Sequence, residues 1–452
     1  MRITTISTEG LGDRSYVVDD GQVAVVVDPQ RDVDRVLATL ADLDVRLVAV
    51  LETHIHNDYV SGGLALARMT GARYLVNGDD PVTFDREPIA DGGVVAVGDL
   101  AVRAVSSPGH THTHLSYVVA HDGDEAVFTG GSMLYGTVGR TDLLGPAHTD
   151  ALSRAQHSSV RGLAGSLDGT TAVYPTHGFG SFCASAGGGD RDAGTIADER
   201  RENIACTTDD EDAFVETLLA GLTAHPPYYA HMGPLNLAGP QAPDLSPPQT
   251  CDLAEVLARI DRGDWVLDVR DRRAFAAAHV AGSISAEASG SMATYVGWAI
   301  PWGTPITLLA DTAEQIATAQ RELVRIGLDR PLGMAVGVPD ALGPEAPVTT
   351  YRVASFSDVP AADDVLVVDV RRPDEWAQGH LEGAVHLPLE RIAAEAHHLP
   401  DDRELWVHCQ SGYRSSIGAS LMARAGKDVV LIDDDWDSGA PRAPRPVVTP
   451  DS

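Results

Sequence analysis

The residues best suited to chemistry gather in two places. His54, His56 and Asp58 fall within five residues in HIHNDYVSGG, on a loop that leaves the apolar run RLVAVLET. His110, His112 and His114 follow in PGHTHTH and His177 in YPTHGFGSFC, again where a strand-like run ends. Imidazoles two apart on a strand-end loop can grip one divalent ion, and ligands drawn from successive strand ends are a common α/β arrangement. Any one of these histidines read alone is a hydrogen-bonded core or surface residue; the ordered set is what points to metal. The second place is CQSGYRS, into which the run ELWVH delivers Cys409, with a helix expected from Ser415 or Ser416. A cysteine there faces unpaired backbone N–H groups and a positive dipole end, which stabilise a thiolate or persulfide anion. Arg414 adds charge and a planar fork for an oxyanion, and Gly412 permits the turn that points the amides inward.

A chain of 452 residues has room for two to four domains at roughly 100–200 residues each. Its 44% apolar and 22% charged residues supply buried cores and exclude the disordered and fibrous classes. The net charge of −32 repels phosphate backbones and anionic lipid, so neither nucleic acid nor a membrane is an expected partner. The first residues lack the basic and apolar regions of a signal peptide, and no apolar run reaches the roughly 18 residues of a membrane span. Four cysteines, Cys183, Cys206, Cys251 and Cys409, are too few for a disulfide framework, which suits a reducing cytoplasm. Homo-oligomerisation is left open.

Up to about residue 220, β-rich runs such as VAVVVDP and EAVFTG alternate with helical stretches such as GGLALARMTG, which predicts an α/β region. From about 222 to 250, proline and glycine are dense and no apolar period shows, which predicts a linker packed through Tyr228 and Tyr229. Beyond it one pattern occurs twice, WVLDVRDRRAFAAAHVAG from Trp265 and VLVVDVRRPDEWAQGHLEG from Val365. Each copy runs through Asp-x-Arg (Asp268 and Arg270; Asp369 and Arg371) and a further strand into a helix, which suggests two small parallel αβα units.

THIHNDYVSGG, SSPGHTHTHLSYVV, FTGGSMLYGTVGRTDLLG and YPTHGFGSFC together resemble the metallo-β-lactamase superfamily. The resemblance is to its persulfide dioxygenases, its glyoxalase II-like proteins and their fusions with rhodanese domains. It implies an αββα sandwich over residues 1–235, a linker over 236–250, a rhodanese-like domain without its cysteine over 251–345 and a rhodanese domain over 346–452. The family's metal ligands carry over onto His54, His56, Asp58, His110 and His177. Two positions depart: Tyr59 stands where a second-site histidine belongs, and Gly131 where the bridging aspartate belongs. What remains is one divalent ion, iron or zinc, on three neutral imidazoles, His54, His56 and His110, with Asp58 and His177 too few for a second ion. Arg140 and Asp142 in GRTDL are expected to orient substrate or to brace the fold. Tyr59 is expected to fill the vacated second site or to donate to a bound anion.

CQSGYRS resembles the rhodanese loop, whose six residues carry over onto Cys409, Gln410, Ser411, Gly412, Tyr413 and Arg414, with Ser415 beside them. In the first copy Ala310 or Asp311 stands where the cysteine belongs, so that copy cannot form a persulfide. The resemblance implies sulfur chemistry on small thiols, persulfides or thiosulfate, with Cys409 as persulfide carrier and the N-terminal domain as a dioxygenase. Zinc-dependent thioester hydrolysis and a metal-free module presenting acceptors to the rhodanese are the alternatives.

Overall fold

The computed structural model describes residues 1–185, 191–361 and 364–449. They fall into two compact units, Met1–Pro243 with Val324–Gly327, and Asp244–Leu323 with Leu328–Ser452.

In the first unit, six strands pair in chain order: Arg2–Thr8, Asp13–Asp19, Val23–Val27, Arg46–Leu51, Arg73–Asn77 and Glu87–Ile89. A second sheet has the order Ala172–Pro175, Asp124–Gly130, Leu115–His121, Leu100–Ser106, Val94–Val97. The inner faces meet through Val18, Val25, Leu51, Val102, Tyr117 and Phe128. Helices Asp34–Leu43 and Gly63–Thr70 cover the outer face of one sheet through Val36, Leu40 and Leu66, while Pro146–Ser166 and Glu211–Ala220 cover the other through Val160 and Phe214. This is the αββα sandwich. Val23–Val27 is buried on both faces and reads as an unbroken apolar run, whereas Leu100–Ser106 alternates buried and exposed. Asp124–Gly130 runs parallel to Ala172–Pro175, so Gly131 and His177 follow the same end of two neighbouring strands.

The stretch expected as a linker from about residue 222 instead carries the helix Tyr229–Ala238, with Pro234 inside it. Proline and glycine hide it from a periodicity reading. Its Asn236 is buried, donates to the carbonyls of His56 (2.8 Å) and Tyr59 (2.9 Å), and accepts from the Ser61 amide (2.8 Å). The loop that presents His56 is thereby fixed from outside its own sheet.

In the second unit a parallel sheet of Ile284–Ser285, Trp265–Asp268, Ile306–Ala310 and Gly333–Val336 is followed by one of Arg352–Ala354, Val429–Ile432, Leu405–His408, Leu366–Asp369 and Val385–His386. The registers match: Asp268 lies opposite Leu309 and Asp369 opposite His408. Ala310 is therefore the counterpart of Cys409. In each copy the Asp-x-Arg pair is buried and closed on itself, Arg270 on Asp268 and Arg371 on Asp369, both at 2.7 Å.

Candidate functional site

Among the described residues, three groups have ligand atoms within 4.8 Å of one another: His54, His110 and His177; His56, Asp58 and His177; and Asp28, Glu52 and His56. The group nearest the expected trio of His54, His56 and His110 has His177 in place of His56, while His56 falls in the other two groups. The hydrogen bonds explain the choice. Thr53 Oγ1 donates to Asp28 Oδ2 (2.7 Å), so it accepts from His54 Nδ1 (2.9 Å) and leaves His54 Nε2 a lone pair. The Arg140 carbonyl can only accept, so His110 Nδ1 donates to it (2.7 Å). The buried His110 Nε2 then has no hydrogen-bond partner. His177 Nδ1 faces Asp13 (2.8 Å) and Asp58 (3.1 Å), and its Nε2 lies 3.3 Å from His54 Nε2. Nitrogens about 3.3 Å apart are what a tetrahedral ion with bonds of roughly 2.0–2.1 Å requires.

Charge sharpens the division. Burial, with the neighbouring histidines, pushes His54 well below the usual imidazole range and His110 down to about 3, so both are neutral. Burial also opposes the charged form of His177, but Asp58 and Asp13 outweigh it and hold that ring well above its ordinary value. An entering ion would displace the proton that His177 Nε2 shares with His54. His56, expected as a neutral ligand, falls in the other two groups and faces two carboxylates. Its Nε2 lies 3.3 Å from Asp28 and 3.2 Å from Glu52, and these carboxylates overcome burial to raise it to about 9. Its Nδ1 is buried without a hydrogen-bond partner, as is Asp58 Oδ1. These donors fit one divalent ion on His54, His110 and His177. Gly131 offers no side-chain ligand, and the neighbouring group of His56, Asp58 and His177 shares His177 with the first.

Tyr59 is fully buried, stacks on His56 (4.3 Å between centroids) and places its hydroxyl 3.0 Å from His56 Nε2. Arg140 is committed to Asp142 (2.7 and 2.8 Å) and to the carbonyls of Phe182 and Thr223, so the pair braces His110 through the Arg140 carbonyl. His114 accepts from the Gly131 amide (3.1 Å), and the exposed His112 meets His148 instead (3.1 Å). A Cβ built on Gly131 would collide with the His110 ring. Gly131→Asp should therefore displace His110 and weaken zinc binding rather than create a second site; two tightly held equivalents in equilibrium dialysis would contradict this.

At the second place, the strand Leu405–His408 ends at Cys409 and the helix Tyr413–Arg424 begins earlier than the expected Ser415. Its first N–H groups have no intrahelical partner and open toward the loop. Cys409 is buried, with Ser415 Oγ 3.5 Å from its sulfur. Gln410 donates to Asp437 (3.0 Å). Arg414, expected as a free fork, forms a two-pronged pair with Glu375 (2.5 and 2.7 Å) that raises its pKa against burial. Gly412 takes φ +90°, and a Cβ there would strike Asp433. Gly412→Ala should cost about 1–3 kcal/mol in chemical denaturation and disable the loop; unaltered stability and activity would contradict the geometry. In the first copy Gln315 Oε1 accepts from the amides of Asp311 (2.9 Å) and Thr312 (3.2 Å), so the corresponding amides are already capped by their own chain.

Residues 353–440 match the family model described as the rhodanese-like domain. The C-terminal domain is rhodanese-like. A metallo-β-lactamase from Staphylococcus aureus, known from a crystal structure, shares the fold with a TM-score of 0.65 at 22% identity, covering 74% of this chain and 98% of that one. The mitochondrial persulfide dioxygenase of Homo sapiens is 28% identical over 53% of this chain and 80% of its own length. A probable metallo-hydrolase of Burkholderia pseudomallei is 32% identical over 38% of this chain and 64% of its own. The chain spans half the length of another relative, a lactamase-like protein of Pestalotiopsis fici, at 29% identity. A metallo-β-lactamase-like unit is thus fused to a C-terminal rhodanese-like domain.

Several residues that shape the two sites escaped the sequence reading: Asp13, Asp28 and Glu52 around the imidazoles, and Glu375 and Asp433 around the rhodanese-like loop. Glu52 had a local signal, since it precedes His54 in LETHIH. The others reach their partners only through tertiary pairing. No helix among the described residues is long and apolar enough to cross a membrane.

Proposed function

We propose that this chain works in sulfur metabolism as a sulfurtransferase whose carrier is a Cys409 persulfide, coupled to a metal-dependent N-terminal unit acting on low-molecular-weight persulfides. We divide it into that unit, a silent rhodanese-like copy over residues 251–345 and an active one over 346–452. The observation that carries the reading is Cys409 buried at a strand end, against the first turn of Tyr413–Arg424 and beside Ser415. The Cys409 thiolate attacks the outer sulfur of thiosulfate; the S–S bond breaks and sulfite leaves with its electron pair. A second nucleophile, cyanide or a thiolate, then takes the outer sulfur of the persulfide and restores the Cys409 thiolate. Ser415 and the helix amides hold the anion through both steps.

In the N-terminal unit, His54, His110 and His177 would hold one ion, iron or zinc. When bound, the ion supplies Lewis acidity and, if iron, redox capacity. Thr53 and the Arg140 carbonyl fix the tautomers of His54 and His110, and Asp13 with Asp58 aims His177. The likeness to the human persulfide dioxygenase supports a dioxygenase acting on a small thiol's persulfide. One observation favours a second reading: with Gly131 in place of an acid, the trio is all imidazole, a donor set suited to a zinc thioester hydrolase. Metal analysis with oxygen uptake on glutathione persulfide separates the two. Iron with uptake supports the dioxygenase, zinc without uptake the hydrolase, and absence of any bound metal removes both.

A further inference from the structure

The silent copy reaches three consecutive residues of the Cys409 loop. Gly412 packs so closely on Asp433 that no Cβ fits between them. Asp433, whose side chain is 3% exposed, is held by two guanidinium groups of the silent copy: Arg272 Nε at 2.7 Å from Oδ1, and Arg273 Nε on Oδ2. Arg272 also pairs with Glu287 (2.7 Å), and the carbonyl of Glu287 accepts from the Tyr413 hydroxyl (2.7 Å). The Arg414 guanidinium lies 5.6 Å above the Tyr295 ring, and Tyr295 meets Tyr413 at 5.7 Å. A copy that has Ala310 at the position of Cys409 and caps its own loop amides thus keeps its contacts with the active loop.

We infer that Arg272 and Arg273 are positioning residues for sulfur transfer: by clamping Asp433 beneath Gly412 they set the turn that aims the loop amides at the Cys409 sulfur. A nearly buried carboxylate on two arginines is a stiff support, and loss of one side leaves an uncompensated buried charge. A nucleophile displaced by a fraction of an ångström loses turnover more than binding. The inference rests on the proposed Cys409 chemistry, and its test keeps the two apart.

The full chain carrying Arg272→Ala with Arg273→Ala is compared with the parent by amide hydrogen exchange and by thiosulfate-to-cyanide turnover. Exchange over residues 409–416 should accelerate about tenfold while Leu405–His408 and the N-terminal strands are unchanged, and kcat should fall about tenfold at a nearly constant KM. Arg272→Lys with Arg273→Lys should recover most of both. Parent-like exchange over 409–416, or faster exchange with undiminished kcat, overturns the inference. If the double variant exchanges faster everywhere, Arg273→Ala alone decides on the same criteria at about threefold, because its side chain is 68% exposed and its loss spares the fold. A parent without sulfur transfer refutes the sulfurtransferase reading instead, and loop exchange then judges the clamp by itself.

Discussion

Replacing Cys409 with alanine should reduce sulfur transfer from thiosulfate to cyanide by at least about 10³-fold, while the chain keeps its fold. Cys409 is small, and alanine fits its buried site without backbone change. The other three cysteines offer no substitute. Cys183 is fully buried beside Asp58 and Asp13, which with burial push its thiol well above the usual range. Burial likewise raises Cys206 and Cys251, and neither stands at a strand-to-helix loop. Intact-mass measurement after thiosulfate treatment should show one added sulfur in the parent and none in Cys409→Ala. A variant that still transfers sulfur, or gains the same mass, would place the nucleophile elsewhere.

The second large effect separates His177 from His56. His177→Ala removes one of the three convergent Nε2 atoms and should weaken zinc affinity by at least about 100-fold in a chelator competition. His56→Ala should act mainly on folding. It leaves Asp28 and Glu52 buried without their shared cation, a loss of about 3–5 kcal/mol of stability by chemical denaturation. The sign of the pH dependence follows from the raised value. With His56 at about 9 in the fold and near 6.5 unfolded, its contribution of about 3 kcal/mol is complete below pH 6.5 and lost as pH rises through 9. Denaturation of chelator-treated protein between pH 6 and 10 should show this loss, and His56→Ala should remove it. Equal losses of zinc affinity in the two variants, with stability untouched, would return His56 to the ligand set.

Much of this was legible in the chain. The ordered histidines of HIHND, PGHTHTH and YPTHG at successive strand ends marked one site, read there as His54, His56 and His110, and the strand, cysteine and small-residue loop of ELWVHCQSGYRS marked the other. The tandem αβα copies followed from the repeated Asp-x-Arg pattern. What could not be read was partner choice. His56 and His54 have the same local surroundings in sequence, and they part because Asp28, 28 residues upstream, faces His56 while Thr53 turns Asp28 to orient His54. Arg414 is indistinguishable from a free anion-binding fork until Glu375 is seen beside it. Ala310 became the counterpart of Cys409 only through strand register, which spacing left one residue ambiguous. The helix Tyr229–Ala238 was masked by its proline and glycine, yet it carries the Asn236 that anchors the His56 loop.

Elemental analysis of the purified full chain, repeated on His110→Ala, bears most directly on the imidazole site. One equivalent of iron or zinc per chain in the parent and none in the variant is the expected result. A parent holding two equivalents, or a variant holding as much as the parent, would contradict a single ion on His54, His110 and His177.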